Sequence, residues 1–319
     1  MLNIIIFSIL GAFLSPFIHK TGKRFATALI VLIPFGVFAA FCTYLPEIAV
    51  GNIFSTTMNW SVHLNVQLAF RMDGLSLLFA LIISGIGTLV IYYATGYMKG
   101  HEQYGRFIMF LLLFMSSMLG LVLSDNIISL FVFWELTSIT SFLLIGFDTH
   151  KEDSRSAALQ ALLVTGGGGL ALLGGLILLG QAGNSYTVSE LVGNGSGILI
   201  HPLAVPALLL ILVGAFTKSA QFPFHFWLPN AMAAPSPVSA YLHSATMVKA
   251  GIYLLARLYP VFSPSPWWQT LVPIFGLLTM LAGSILAYKS TDLKRILAYS
   301  TVSSLGVMTT LLGLGITDP

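Results

Sequence analysis

The chain has 319 residues, of which 56% are hydrophobic and only 8% are charged, and its formal net charge is +3. Soluble domains usually carry about 25% charged residues, so this composition excludes a soluble enzyme of the same length. The mean hydropathy of +0.91 favours one bundle of membrane helices. The single cysteine, Cys42, excludes an intramolecular disulfide and any site built from several cysteine ligands. The basic residues are scattered, so no basic face for nucleic acid is expected.

The apolar runs predict ten membrane spans, because a spanning helix needs about 20 mostly apolar residues. The predicted spans are 2–19, 25–46, 74–97, 107–124, 127–147, 157–180, 203–221, 238–258, 267–288 and 296–316. The stretches 47–73 and 181–202 contain Gly, Asn, Ser and Pro, and we interpret them as surface loops. The first run has no basic leading region and no small-residue cleavage site, which indicates an uncleaved helix. The predicted fold class is all-α, a polytopic transmembrane helix bundle.

The distribution of basic residues predicts the orientation of this bundle. If the N-terminus lies outside, ten of the fourteen Lys and Arg residues lie in loops on the inner side. Only Arg71 and Arg257 remain at the outer ends, and Lys218 and Lys249 lie inside predicted spans. Because cytoplasmic loops of membrane proteins are enriched in Lys and Arg, we expect the N-terminus outside.

The most informative residues are ionisable groups in the middle of apolar runs. A charged side chain at the centre of a bilayer costs about 2.5–3.5 kcal/mol on insertion scales. Glu135 lies near the midpoint of the fifth span, Lys218 lies in the seventh, and His243 and Lys249 lie in the eighth, while His225 follows Lys218 by seven residues. Burial favours a neutral lysine and a nearby carboxylate favours a charged one, so such a set is suited to proton transfer.

Each of these residues also has a structural interpretation. Glu135 can join two helices through an ion pair, and each histidine can be a hydrogen-bonded core residue. Lys294, beside Arg295 at a helix start, and Lys249 can extend to the membrane interface. A purely structural pair needs only one lysine. Glutamate, lysine and histidine residues at similar depth on several helices are typical of proton relays.

Two backbone features accompany these charges. Pro223 follows Lys218 by five residues, and a proline inside a helix removes a hydrogen bond and clashes with the preceding turn. The seventh helix is therefore predicted to be broken just after its lysine, as at ion sites of transporters. The run Gly166 to Gly169 is not followed by a Gly-Lys-Ser/Thr sequence, so it indicates close helix packing rather than a phosphate loop.

Four stretches of sequence together resemble one known family. They are RMDGLSLLF at 71–79, SDNIISLFVFWELTSITSFLLIGF at 124–147, TKSAQFPFHFWLPNAMAAPSPVSAYLHSATMVKAG at 217–251 and TDLKRILAYSTVSSLG at 291–306. In order and spacing they resemble the antiporter-like subunits shared by Mrp-type multisubunit Na+/H+ antiporters and respiratory complex I. The motif HSATMVKAG, with a lysine at position 249, resembles the corresponding motif of the large A subunits in the Mrp branch.

The resemblance implies a membrane ion transporter rather than an enzyme, with H+ and Na+ as transported ions and no cofactor. It implies other membrane subunits as partners and the bacterial plasma membrane as location, with no role for nucleic acid. It also implies roles for residues: a coupling pair of Glu135 with Lys218, and a proton-translocation axis whose members are Glu135, Lys218, Lys249, His243, Lys294 and His225. It assigns no role to Asp73.

The resemblance further implies a single membrane domain over 1–319. Residues 1–70 would form two leading helices with an outer loop, and 71–319 would form the antiporter-like core. Members of the family continue through further helices, so we expect this chain to lack the C-terminal helices of a complete subunit.

The sequence leaves other functions open. The chain can be a proton-pumping subunit of a redox-driven, complex I-like NADH:quinone oxidoreductase, which needs no cofactor motif of its own. It can also be a structural membrane scaffold in which the buried charges form ion pairs. A membrane enzyme is disfavoured because no paired acidic motif for a lipid diphosphate is present.

Overall fold

A computed structural model of the chain describes residues 1–18, 23–61, 66–244 and 246–315. These residues form a bundle of α-helices with one two-stranded antiparallel sheet at one end. The helices are α1 (Leu2–Ile18), α2 (Lys23–Cys42), α3 (Leu45–Ala49), α4 (Gly74–Tyr97), α5 (Tyr104–Leu123), α6 (Ile127–Ile145), α7 (Glu152–Gly183), α8 (Val188–Gly193), α9 (Gly195–Ile200), α10 (Ala204–Lys218), α11 (Trp227–Asn230), α12 (Ser236–Ser244), α13 (Ala250–Phe262), α14 (Pro266–Lys289) and α15 (Leu293–Leu314), and the strands are β1 (Phe54–Ser61) and β2 (Val66–Met72).

The apolar helices account for the ten predicted spans. Within the described residues, seven helical segments are long and apolar enough to cross a membrane, and α1 and α10 are apolar but shorter. The remaining predicted span, 238–258, is divided between α12 and α13, with a 3-10 turn at Met247–Lys249 between them. The predicted all-α polytopic bundle is confirmed. The prediction of one uninterrupted helix over 238–258 is wrong.

The two stretches interpreted as surface loops are more ordered than the sequence indicated. The stretch 47–73 contains a hairpin in which Phe54 of β1 lies opposite Met72 of β2. Apolar residues alternate along β2, VQLAFRM, and only the buried Ala69 departs from the pattern, so the sequence carries the period of a strand there. The stretch 181–202 contains the end of α7 and the short helices α8 and α9.

Polar side chains fix the starts of three long helices. Asp73 accepts a hydrogen bond from the backbone N–H of Ser76 and forms a capping box at the start of α4. Asn126 accepts from two backbone N–H groups at the start of α6, and Asp292 does the same for α15. These contacts satisfy backbone donors that a helix N-terminus otherwise leaves free. Asp125, the residue before Asn126, accepts two hydrogen bonds from Ser189.

The core is organised around α5, whose side chains are mostly buried. Helix α5 packs against α1, α4 and α6, while α14 and α15 form a closely packed pair. Helix α7 packs along both α6 and α10. This last arrangement brings the helices that carry Glu135 and Lys218 to the same side of the bundle.

An ion pair joins the hairpin end of the bundle to α13. The guanidinium of Arg257 donates hydrogen bonds to both carboxylate oxygens of Asp73, and to Ser76 and the hydroxyl of Tyr253. Burial by itself would raise the pKa of the Asp73 carboxyl. The hydrogen bonds and charge of Arg257, with the hydrogen bonds from Ser76, outweigh burial and hold that pKa well below its usual range.

The Asp73–Arg257 pair predicts a pH-dependent contribution to stability. Asp73→Asn keeps a capping side chain but removes the charge, and should lower the free energy of unfolding by about 1.5–3 kcal/mol at neutral pH, the range for hydrogen bonds to charged groups. The folded-state pKa lies below the unfolded value of about 3.9. The contribution is therefore present above that value and is lost as the pH falls toward the folded pKa. Unfolding of the purified protein in detergent, at several pH values, measures it.

Asp148 provides the matched control for this measurement. Its carboxylate pairs at 2.8 Å with Lys151, whose side chain is 68% exposed. Asp148→Asn should change the unfolding free energy by less than about 0.5 kcal/mol, because exposed ion pairs contribute little. Equal losses for the two variants would contradict the structural role of the Asp73–Arg257 pair.

Candidate functional site

The side chain of Lys218 ends in a fully buried site against α6. Its residue is the last of α10 and has no solvent exposure. The Nζ atom donates to the backbone oxygen of Trp134 at 3.1 Å and to Oγ of Ser138 at 2.7 Å. It also lies 5.2 Å from the centre of the Trp134 ring, where the face of the ring attracts a cation. The ammonium is therefore held by three groups of a single neighbouring helix.

Glu135 lies beside this site but does not close on the lysine. The side chain is half-buried on α6, and its Oε1 atom is buried without a hydrogen-bond partner among the described residues. Within that part of the chain, no ion pair of 4.0 Å or less joins Glu135 to Lys218. Lys218 nevertheless bonds to Trp134 and Ser138, which lie on either side of Glu135 along α6, so the two charged residues share one site. The predicted pair is thus brought to one site with its charges apart.

Two glycines of α7 make room for this arrangement. A Cβ at Gly169 would overlap Oε1 of Glu135 and lie 2.9 Å from its Cδ. A Cβ at Gly168 would lie 2.6 Å from Cβ of Thr217, the residue before the lysine. The glycine run therefore permits close helix packing, as the sequence indicated, and it also accommodates the side chains of Glu135 and Thr217.

The chain leaves the helical path immediately after Lys218. Ala220 has a positive φ of 48°, a conformation that costs a residue with a Cβ roughly 1–2 kcal/mol. The N–H of Gln221 bonds to the oxygen of Phe216 at 2.9 Å and closes the helix end. Short helical turns follow from Phe224 to Ala233 before α12 begins. The predicted break of the seventh helix is present.

Trp227, in the segment after the break, contacts both the end of α10 and His243. Its Nε1 atom donates to the backbone oxygen of Thr217 at 3.0 Å, and its ring centre lies 6.5 Å from that of His243. His243 is only 3% exposed, and neither of its ring nitrogens has a hydrogen-bond partner among the described residues. His225 is half-buried and stacks on Phe222 with ring centres 5.7 Å apart.

Lys249 lies at the second interruption, next to the end of α10. Oγ of Ser219 donates to the backbone oxygen of Val248 at 2.6 Å, so the residue after Lys218 contacts the residue before Lys249. Lys249 itself is half-buried and occupies the end of the 3-10 turn that precedes α13. The structure thus connects the two lysines through one side chain and one backbone group.

Lys294 occupies a different position from the other predicted site residues. Its Nζ atom donates to the backbone oxygens of Met232 at 3.2 Å and Ala234 at 3.1 Å. It lines an open cavity of about 430 Å³ together with Asp153 and Asn230. These contacts anchor the segment between the break and α12 at the end of the bundle predicted to face inside.

Sequence reasoning missed several residues that shape the site. Ser138 follows Glu135 by three residues, a spacing that places both on one side of a helix. This spacing could have identified Ser138 as part of the site. Trp134, Trp227 and the individual roles of Gly168 and Gly169 had no signal of their own. Among the described residues, no group of three or more His, Cys, Asp or Glu side chains is arranged to hold a metal ion.

The arrangement combines a fully buried lysine with a neighbouring carboxylate that forms no ion pair with it. Because burial and a neighbouring charge act in opposite directions on a lysine, a movement of either side chain changes how readily the lysine keeps its proton. In this chemistry the proton moves between side chains of the protein itself.

Two family models match the sequence. The model described as "NADH:quinone oxidoreductase/Mrp antiporter, TM" matches residues 124–318. The model described as "NADH-Ubiquinone oxidoreductase (complex I), chain 5 N-terminus" matches residues 58–108. The first match contains all six residues predicted for proton translocation.

Curated relatives are similar over nearly the whole chain. A protein of Staphylococcus haemolyticus (strain JCSC1435) named Na(+)/H(+) antiporter subunit A1 is 48% identical over 312 residues. A protein of the same name from Staphylococcus aureus (strain JH9) is 47% identical. In both cases the alignment covers 98% of this chain and 39% of the relative, so this chain spans about two fifths of the length of these relatives.

Solved structures share the fold. A chain in the structure of the Mrp complex from Dietzia sp. DQ12-45-1b matches with a TM-score of 0.89 and 37% identity, over 98% of this chain and 34% of that chain. A chain of the membrane-bound sulfane sulfur reductase, an archaeal respiratory membrane complex, matches with a TM-score of 0.83 over 97% of this chain and 64% of that one. At 23% identity, this second match shows the fold alone. Because the first family model covers more than half of the chain, this multi-pass membrane protein belongs to the NADH:quinone oxidoreductase/Mrp antiporter transmembrane family.

Proposed function

We propose that this chain forms part of a subunit of a multisubunit Na+/H+ antiporter in the bacterial plasma membrane. The names of the curated relatives and the match to the Mrp complex support this proposal. The observation that carries it is the buried ammonium of Lys218 beside the unbonded carboxylate of Glu135. Other membrane subunits of the same complex are the partners, and H+ and Na+ are the transported ions.

In this proposal, proton transfer depends on the separation of Glu135 and Lys218. When the carboxylate approaches the ammonium, the opposite charge stabilises the protonated lysine. When the carboxylate withdraws, burial favours the neutral amine and Lys218 releases its proton. The contact between Ser219 and Val248 supports transfer toward Lys249 rather than into solvent.

The histidines and Lys294 have supporting positions in the proposed axis. His243 and His225 lie on the segment after the break, where Trp227 adjoins His243. A histidine can pass a proton between neighbouring groups through its two ring nitrogens. Lys294 lines the open cavity, so it would connect the axis to the inner solution.

Replacement of either member of the coupling pair should abolish exchange. In inverted vesicles containing the complete complex, Glu135→Ala and Lys218→Ala should eliminate Na+-induced collapse of a proton gradient, because each removes one charge of the switch. Glu135→Asp keeps the carboxylate and should retain part of the activity. Immunoblots must show normal assembly of each variant.

Exposed residues of the same types are the controls for the pair. Glu102 lies in the turn before α5 and Lys289 is the last residue of α14, and both are exposed. Glu102→Ala and Lys289→Ala should leave exchange unchanged. Full exchange by assembled Glu135→Ala and Lys218→Ala complexes would assign these charges a structural role and contradict the proposal.

Lys249 offers a test of proton transfer as distinct from fixed positive charge. Arginine keeps its charge at all relevant pH values and cannot release a proton in a protein. Lys249→Ala and Lys249→Arg should therefore both be inactive in vesicle exchange. The exposed control Lys289→Arg should stay active. Wild-type exchange by Lys249→Arg would show that residue 249 supplies charge alone.

A further inference from the structure

The separated arrangement of Glu135 and Lys218 needs a physical explanation. Opposite charges attract strongly in a medium of low dielectric constant, so a lysine and a carboxylate on adjoining helices would be expected to close into an ion pair. In the structure they do not, since no oxygen of Glu135 lies within 4.0 Å of the Lys218 ammonium. Contacts on each side chain must therefore oppose closure.

On the lysine side, those contacts come from α6. The hydroxyl of Ser138 and the backbone oxygen of Trp134 both accept hydrogen bonds from Nζ. Hydrogen bonds that involve a charged donor are stronger than those between neutral groups. Ser138 and Trp134 thus provide the ammonium with an alternative to the carboxylate.

On the carboxylate side, the decisive feature is the missing side chain at residue 169. The Glu135 carboxylate lies where the Cβ of any other residue at 169 would be. A Cβ at Gly166, one turn earlier on α7, would lie 4.0 Å from Oε2, so the carboxylate rests along a small-residue surface of α7. We call Gly166 and Gly169 the α7 notch.

We propose that the α7 notch is the resting position of the Glu135 carboxylate during the part of the cycle in which it is withdrawn from Lys218, and that Gly169 is the positioning residue that makes this position available. This inference rests on the proposed function and adds to it the second position that a switch requires. A switch needs two arrangements of similar energy, and the structure shows the open one.

The notch holds the carboxylate without anchoring it. Oε1 of Glu135 is buried there without a hydrogen-bond partner among the described residues. A buried polar atom without a hydrogen-bond partner is energetically unfavourable. This cost offsets part of the stability of the open arrangement, so the carboxylate can return to the lysine when the surroundings change.

The test compares two glycines that are two residues apart on α7. Gly169→Ala places a methyl group in the notch, whereas a Cβ at Gly167 would meet no atom within 4 Å. Both substitutions have the same effect on helix propensity. In vesicles with the complete complex, Gly169→Ala should lower exchange about tenfold or more, because a displacement of about 1 Å at a reacting group can cost on the order of a hundredfold. Gly167→Ala should stay within about twofold of wild type.

A double variant separates positioning from helix packing. Aspartate is one methylene shorter than glutamate, so Glu135→Asp in the Gly169→Ala background should relieve the overlap and raise exchange above that of Gly169→Ala alone. A methyl group that only disturbs the packing of α7 would not be relieved in this way. Failure of the double variant to recover activity, with assembly normal, would therefore overturn the inference.

The outcomes also separate this inference from the proposed function. If Glu135→Ala abolishes exchange but Gly169→Ala leaves it unchanged, the coupling pair stands and the role of the α7 notch is wrong. If Glu135→Ala itself leaves exchange unchanged, the proposed function fails before the notch is tested.

Discussion

The hydrogen bonds from the Lys218 ammonium to Ser138 and to the backbone of Trp134 are the contacts on which the rest of the site depends. An unpaired charge at membrane depth is costly, so these acceptors make it possible for α10 to end at a lysine inside the bundle. They link the end of α10 to α6. Helix α7 then packs along both, and its glycines allow the approach. The Glu135 carboxylate then occupies the position that a Cβ at Gly169 would take.

The sequence predicted the elements of this site better than their contacts. Glu135 and Lys218 stand out because charged residues are rare in long apolar runs, and Pro223 marked the region of the break. Ser138 and Gly169 do not stand out, since serine and glycine are common in membrane helices and serve many packing purposes. Their roles depend on which residue of another helix faces them, and that information is absent from a single segment of sequence.

Hydropathy also explains the two errors in the predicted fold. An apolar run such as 238–258 has the same composition whether its helix is continuous or interrupted, and the interruption before Lys249 is visible only in the backbone. The hairpin was missed because the stretch 47–73 has too few apolar residues for a membrane span and was interpreted from its turn-forming residues, although apolar residues alternate along β2. For Lys294, in contrast, the sequence and the structure agree. Its place beside Arg295 at a helix start is typical of an interfacial lysine, and the structure puts it at an open cavity.

The break after Lys218 and the break before Lys249 lie against each other, and this proximity is what makes a relay between the two lysines physically reasonable. The hydroxyl of Ser219 bonds to the backbone oxygen of Val248, and a Cβ at Gly251 would lie 3.1 Å from the backbone carbon of Ala215. Irregular backbone at membrane depth is tolerated where it is buried in protein or lines a polar cavity. Under the proposed function, the contacts shared by the two irregular segments would connect a shift of the α10 end to the turn that carries Lys249. Coupling between the lysines would then draw on the two positions of one carboxylate and on this contact between two interrupted helices.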